Sequence, residues 1–224
     1  MNSVTKGKRG IRPRDAASLV LIDERESEPR ILMGRRHSRM KFIPDAFVFP
    51  GGKLDAGDIG VRPAATFAEQ TAQQMKHAAA SRLKAEALAA AAIRETFEET
   101  GLLVAHPGDI GDAAGEAWAP FRERGLAPRF DVLDFVARAI TPASSPIRFH
   151  ARFFAASAEA AEGDLRGSGE LEDLGWYRLS EALKLPVIDV TEFVLREIAE
   201  RHRGRVRARA PLYCYRNDKP VVRG

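Results

Sequence analysis

Three glutamates near the end of one predicted helix are the side chains best placed to do chemistry. Glu95, Glu98 and Glu99 stand at positions i, i+3 and i+4, which share one face of a helix. Carboxylates at this spacing repel each other, and the negative end of the helix dipole adds to that cost. Oxygen ligands of this kind suit Mg²⁺ or Mn²⁺. On their own, the same three residues are equally compatible with an acidic, solvated helix face.

A second candidate segment, FPGGKLDAGD, occupies residues 49–58. A short predicted strand precedes Gly51 and Gly52, and glycine lets the backbone approach a metal ion or a phosphate closely. An alanine-rich stretch separates this segment from the glutamates. The sequence therefore raises the question whether one site is divided by an insertion.

Together the two segments resemble the signature of the Nudix hydrolases. That signature has Gly, five residues, Glu, seven residues, then Arg-Glu-apolar-x-Glu-Glu-x-Gly-apolar. Here Gly52 precedes Asp58, and RETFEETGL at 94–102 matches the second half except for Thr96 at the apolar position. The family's arginine follows its glycine by 14 residues, whereas Arg94 follows Gly52 by 42 (94 − 52). We interpret the two segments as one Nudix box with an insertion of 28 residues.

The resemblance implies a role for each matched position. Nudix enzymes use Mg²⁺ or Mn²⁺ to hydrolyse a nucleoside diphosphate linked to another group. The implied metal ligands are Gly51, through its carbonyl, Glu95, Glu98 and Glu99. Arg94 would orient a carboxylate of the cluster, and Asp58, in place of the family's glutamate, would be the partner of Arg94. Arg94, Glu98 and Glu99 are accordingly our catalytic candidates, with Asp58 as an orienting residue.

Nudix enzymes often recruit one more glutamate from a later loop as a metal ligand or general base. The segment GSGELEDLGWY at 167–177 offers Glu170 in a glycine-flanked position, which we take as the fourth catalytic candidate. Glu172 competes with it for this role. A solvated acidic loop without a catalytic part is the remaining interpretation.

Substrate contacts are expected in the basic loop before FPGG. The candidates for binding substrate phosphates are Arg35, Arg36, Arg39 and Gly52. The sequence around the box resembles the branch of the family with a long insertion in its box, which includes the peroxisomal coenzyme A diphosphatase. That likeness implies coenzyme A or an acyl-CoA as a candidate substrate.

Two other functions compete with hydrolysis of a small molecule. A non-catalytic, nucleotide-sensing regulator would be expected to lose its glutamates, whereas this chain keeps them. The hypothesis of an RNA-directed hydrolase is supported only by two basic runs, at 1–14 and 201–209. The second run is also compatible with a solvated face or with a strip that attracts anions. We therefore expect a small-molecule partner, with nucleic acid as the less favoured one.

Composition is that of a globular chain of 224 residues with a net charge of +4. No apolar run approaches the roughly 18 residues that span a bilayer, so we expect no membrane partner. The N-terminus has no apolar segment typical of a secretory signal. The single cysteine, Cys214, indicates a reducing compartment. These features predict a cytoplasmic location, and dimers among the related enzymes make a homodimer a candidate state.

The predicted elements must bring the two halves of the box together. Strands at 16–22, 30–34, 133–141, 147–157 and 176–179 alternate with helix-forming stretches, so the pattern predicts an α+β sandwich with a mixed sheet. Strong helix formers fill most of residues 62–100, and Gly101 is expected to end that helix. We divide the chain into a basic tail at 1–14, a Nudix domain at 15–203 with a helical insertion at 59–90, and an extension at 204–224.

Overall fold

The computed structural model describes residues 11–40, 43–113 and 115–224. Most of the predicted basic tail therefore lies outside the described residues. The strands in the described residues are Arg14–Asp23 (β1), Arg30–Arg36 (β2), Phe47–Val48 (β3), Gly51–Lys53 (β4), Ala105–Pro107 (β5), Leu126–Pro128 (β6), Asp134–Ile140 (β7), Phe149–Ser157 (β8), Leu171–Arg178 (β9), Leu212–Arg216 (β10) and Lys219–Arg223 (β11). The α-helices are Glu69–Ala78 (α1), Arg82–Thr100 (α2), Ala119–Glu123 (α3), Leu179–Ala182 (α4) and Asp189–His202 (α5).

Nine strands of the described residues form one mixed sheet. Its main path runs β11-β10-β7-β8-β1-β2-β3, while β4 pairs with β1 and β9 pairs with β2. β1 is parallel to β8 along the whole of β8, and β10 is parallel to β7. The remaining pairs in this sheet are antiparallel. The predicted α+β sandwich with a mixed sheet is confirmed.

Two apolar clusters cover the two faces of the sheet. Alternation along β1 divides its side chains, so that Leu19 and Leu21 pack with α1 and α2 while Val20 packs with α5 on the other face. Residues 89–92 of α2 are four consecutive, fully buried alanines. Because four successive residues point to all sides of a helix, α2 is enclosed here. This enclosed helix carries the three glutamates on its last turns.

The segment between the two halves of the box differs from the predicted helical run. Residues 59–68 contain no helix, and Ala65 forms an isolated bridge with Arg129. The chain then forms α1, becomes extended at Ala79, and starts α2 with the Ser81 side chain accepting the Lys84 N–H at 3.2 Å. That cap satisfies one of the free amides at the helix start, so local capping separates two helices where propensity alone indicates one. Gly101 ends α2 with a φ of 77°, as predicted.

Three further segments depart from the predicted elements. The sequence also predicts helix over 109–125, but α3 is the only α-helix among the described residues of that stretch. β9 begins at Leu171, five residues before the predicted strand (176 − 171), because it pairs with β2 along that length. Residues 212–223 form a hairpin that extends the main sheet beside β7. No helix in the described part of the chain is both long and apolar enough to cross a bilayer.

Candidate active site

The centre of the site is a buried ion pair between Arg94 on α2 and Asp58, which lies just after β4. The Arg94 Nε donates to Asp58 Oδ1 at 2.7 Å, and Nη2 donates to Oδ2 at 3.0 Å. The two residues are 3% and 1% exposed, so this bidentate pair is shielded from water. The structure thus brings together the two halves of the interrupted box.

Arg94 also links the first two glutamates to the backbone after the glycine pair. Its Nη1 donates to Glu95 Oε1 at 2.9 Å and to Glu98 Oε2 at 3.0 Å. Its Nη2 also donates to the Lys53 carbonyl at 3.1 Å. One guanidinium therefore sets the positions of three carboxylates, because its donors lie in a fixed plane.

Glu99 lies apart from Arg94 and is held by the backbone of Gly51. The Gly51 N–H donates to Glu99 Oε2 at 2.9 Å. Burial of Glu99 raises its pKa to about 8, and repulsion from Glu95 and Glu170 acts in the same direction. The Gly51 N–H and the positive charge of Arg36 oppose this shift only in part. The helical repeat places Glu99 beside the exposed Glu98, yet Glu99 is only 5% exposed, because α2 packs closely on β4.

Glu95 is half-buried between Arg94 and the glycine pair. Burial raises its pKa, and the positive charge of Arg94 opposes that shift. A Cβ atom at Gly52 would overlap the Glu95 carboxylate. Glycine at this position therefore allows β4 to approach the glutamate face of α2 closely. Gly52, expected to contact the substrate, has this packing role in the structure as well.

Two groups that the sequence did not single out hold Asp58. The Trp118 Nε1–H donates to Asp58 Oδ1 at 3.2 Å, and the Asp55 N–H donates to Oδ2 at 2.8 Å. Trp118 is 1% exposed, and a buried indole N–H generally requires an acceptor. That requirement is the only signal in the sequence that could have linked Trp118 to the site, and it does not identify the acceptor.

The donor chemistry fits a divalent cation, although the carboxylates do not converge on one point. Among the described residues no three acidic, imidazole or thiol side chains are arranged as a finished cation site. Glu95 and Glu98 face Arg94, whereas Glu99 faces the Gly51 amide. Burial raises the pKa values of Glu95 and Glu99, so a cation beside them would lower the cost of ionising both. Hard oxygen donors of this kind suit Mg²⁺ or Mn²⁺.

The three candidate substrate arginines lie in different environments. Arg35 is engaged by three acidic side chains, which are Asp45 at 3.2 Å, Glu172 at 2.8 Å and Asp173 at 2.7 Å. Arg36 is close enough to Glu99 for its charge to lower the pKa of that glutamate. Arg39 is exposed, and its backbone N–H donates to His37 Nδ1 at 3.0 Å. Arg36 is thus the one of the three whose charge acts on Glu99.

The two competing glutamates of the later loop differ in the groups with which they interact. Glu172 pairs with Arg35 at 2.8 Å and lies 3.5 Å from His37 Nε2. Glu170, one residue before β9, is exposed, and its charge contributes to the raised pKa of Glu99. Glu170 is thus the one whose carboxylate interacts with the cluster.

Comparison with solved structures identifies the fold. No protein-family model matches the sequence. The structure is similar to a NUDIX hydrolase from Alicyclobacillus acidocaldarius, with a TM-score of 0.67, 28% identity, and coverage of 84% of this chain and 92% of that chain.

Two more distant neighbours share the fold alone. A MutT protein from Bacillus halodurans gives a TM-score of 0.50 at 16% identity, covering 94% of this chain and 96% of that chain. The NUDIX domain of Shewanella oneidensis NrtR, complexed with ADP ribose, gives 0.50 at 12% identity, covering 88% and 94%. The likeness to the Alicyclobacillus protein supports a Nudix hydrolase enzyme.

Proposed function

We propose that this chain hydrolyses a nucleoside diphosphate linked to another moiety, with Mg²⁺ or Mn²⁺ as cofactor. The observation that carries the proposal is the network in which Arg94, fixed on buried Asp58, holds Glu95 and Glu98 beside the glycine pair. A chain that needed only a solvated helix would gain nothing from burying acidic groups at a cost in ionisation. The 28% identical NUDIX hydrolase supports the same reaction class.

The residues proposed to hold the cation are Glu95, Glu98, Glu99 and the Gly51 carbonyl. When bound, Mg²⁺ or Mn²⁺ would neutralise phosphate oxygens and lower the pKa of a bound water. Arg94 keeps the carboxylates of Glu95 and Glu98 in fixed positions, which matters because this reaction depends on positioning and on stabilising charge.

Two further residues are proposed to act on the reactants. Glu170 would accept a proton from the attacking water, supported by its exposed position and by its interaction with Glu99. Arg36 would contact substrate phosphates, since its charge already acts on the cluster. The same role for Arg39 and Gly52 stays a prediction, whereas the three acidic partners of Arg35 favour a role in holding β9 against β2.

The finer substrate proposal is coenzyme A or an acyl-CoA, and it rests on the sequence around the box. The Shewanella neighbour is complexed with ADP ribose, so ADP-ribose is the natural competitor in an assay. We also propose that residues 15–203 form the Nudix domain, with 59–90 as its box insertion and 204–224 as an extension of its sheet.

The experiment that tests the function is a cleavage screen with product masses. Purified protein with Mg²⁺ or Mn²⁺ would be incubated with coenzyme A, ADP-ribose, NADH and dinucleoside polyphosphates. We expect cleavage within the diphosphate of at least one compound, and loss of that cleavage in EDTA. Release of phosphopantetheine and adenosine bisphosphate would support the coenzyme A proposal.

The two alternatives predict different results in the same assays. A nucleotide-sensing regulator would bind one of these compounds without turnover in the presence of either cation. An RNA-directed hydrolase would cleave none of them and would bind RNA with an affinity that falls steeply with salt.

A further inference from the structure

A second cavity, of about 430 Å³, lies between α1 and the part of the sheet formed by β7 and β10. It is lined by one side of α1, by β7, and by backbone and side chains from residues 208–212 and 223–224. We call it the arginine cavity, after Arg138, Arg209 and Arg223, which line it together with His77. None of the glutamates of the candidate active site lines it.

The three arginines of the cavity have no acidic partner. Within the part of the chain that the structure describes, none of the three forms an ion pair with a carboxylate. By contrast, several exposed arginines elsewhere do have an acidic partner, as Arg82 has in Glu86 at 2.7 Å. The cavity therefore brings together three arginines that no ion pair within the described residues neutralises.

The basic run at 201–209 shows the contrast most clearly. Arg203 and Arg205 pair with Glu200, each at 2.9 Å, and Arg207 pairs with Glu197 at 3.0 Å. Arg209 is the next arginine in the alternating pattern, and it lies in the cavity instead. Most of this run is thus a paired surface, and its last member is left available to an anion.

Arg138 adds a second sign of unbalanced charge. It lies directly opposite Arg152 in the pairing of β7 with β8, and like charges in that relationship destabilise a sheet. Arg152 is compensated by Asp15 and by the Ala78 carbonyl, whereas Arg138 has no such partner. An anion in the cavity would offset this repulsion.

We propose that the arginine cavity binds a small phosphate-bearing molecule. Guanidinium groups are well suited to phosphate oxygens, and the side chains of Gln70, Gln73 and Gln74 in the same lining can recognise further polar groups. A volume of about 430 Å³ lies within the range of small-molecule sites. The cavity is built by α1, which belongs to the box insertion, and by the C-terminal hairpin, so it is an addition to the catalytic fold.

The test is calorimetric titration of the whole chain with pyrophosphate and, separately, with AMP. EDTA is present throughout, so that divalent cations do not bring phosphate to the glutamates. The variants are the exposed pair Arg209→Gln with Arg223→Gln, and Arg138→Gln. Arg82→Gln serves as the matched control, because it removes an exposed arginine that is paired and lies outside the cavity.

We expect wild type to bind at least one probe, and the cavity variants to bind it at least about tenfold more weakly. Arg82→Gln and Glu98→Gln are expected to keep the wild-type affinity. Circular dichroism and thermal unfolding check that each variant is folded. If Arg138→Gln does not fold, the test rests on the variant that combines Arg209→Gln with Arg223→Gln.

Several results would overturn the proposal. One is that neither probe binds. Another is that wild type and the Arg209/Arg223 variant bind a probe with equal affinity. A third is that Arg82→Gln loses as much affinity as the cavity variants, which would indicate a general electrostatic effect. A changed affinity in Glu98→Gln, with none in the cavity variants, would locate the anion at the glutamates. Binding of a short single-stranded RNA but of neither small probe would make the surface a nucleic-acid site instead.

Discussion

Arg94 and Asp58 are 36 positions apart in the chain, yet they form a buried two-point ion pair at the centre of the candidate site. The insertion leaves the box after Asp58 and returns through α2, so this pair joins its two ends. Trp118 and the backbone of Asp55 hold the carboxylate from the other side. The positions of Glu95 and Glu98 depend on this pair through Arg94.

Removing Asp58 should therefore damage stability as well as activity. We expect Asp58→Ala to lower the free energy of unfolding by about 3–5 kcal/mol, because it removes the buried, bidentate partner of the Arg94 charge. Urea unfolding measures this loss. Asp109→Ala is the control, since it removes one side of an exposed pair with Arg62, at 3.0 Å, and should cost less than about 1 kcal/mol. Similar losses of unfolding free energy in the two variants would show that the buried pair stabilises the protein no more than an exposed pair does.

The stability of the metal-free protein should fall as pH rises, because of Glu99. Its folded pKa of about 8 exceeds the ordinary 4.5, so between these values the folded state binds more protons than the unfolded state. Linkage then requires stability to decline with pH across that window. Glu99→Gln should flatten this decline and be more stable than wild type above pH 8. Thermal unfolding in EDTA measures it, with Glu192→Gln on the opposite face of the sheet as the control.

Divalent cations should stabilise the folded protein through Glu99. At pH 8, Mg²⁺ or Mn²⁺ is expected to raise the melting temperature of wild type more than that of Glu99→Gln, since a ligand that binds only the folded state stabilises it. An identical rise in both proteins would argue against Glu99 as a ligand.

A methyl group at Gly52 should disturb catalysis through Glu95. We expect Gly52→Ala to lower kcat/KM by at least about a hundredfold, because its Cβ overlaps the Glu95 carboxylate and must displace it from its position beside Arg94. Gly175→Ala is the matched control, because the nearest atom to its Cβ is 3.8 Å away, an ordinary contact. Equal kinetics for the two variants would show that the close approach of β4 is not needed.

Substitutions of Glu170 and Glu172 should have different effects on kcat. Glu170→Gln is expected to lower kcat by at least about a hundredfold if it accepts the proton from water. Glu172→Gln should leave kcat near the wild-type value and cost at most about 1 kcal/mol of stability, since its partners are partly exposed. A larger loss of kcat in Glu172→Gln than in Glu170→Gln would reverse the assignment.

The sequence predicts those parts of the site that helix geometry determines. The positions of Glu95, Glu98 and Glu99 follow from the helical repeat, and the end of α2 follows from Gly101. Other features depend on contacts between distant segments. Arg35, for example, is surrounded by acidic groups from the β2–β3 loop and from β9, and spacing cannot predict that.

The insertion shows the same limit for the fold. Composition predicts helix through most of 62–100, but propensity does not reveal that Ala65 pairs with Arg129 or that Ser81 caps a new helix. Trp118 is recognisable as a core residue, yet its hydrogen bond to Asp58 arises only when 116–123 fold over the site.

The most direct test of the glutamate site compares wild type with Glu98→Gln on the best substrate of the screen. Glu98 is exposed, with its side chain 39% accessible, so this variant is expected to fold with little change in melting temperature. We predict that it cleaves the diphosphate at least about a thousandfold more slowly than wild type at saturating Mg²⁺. Turnover near the wild-type rate in the folded variant would contradict the assignment of the site.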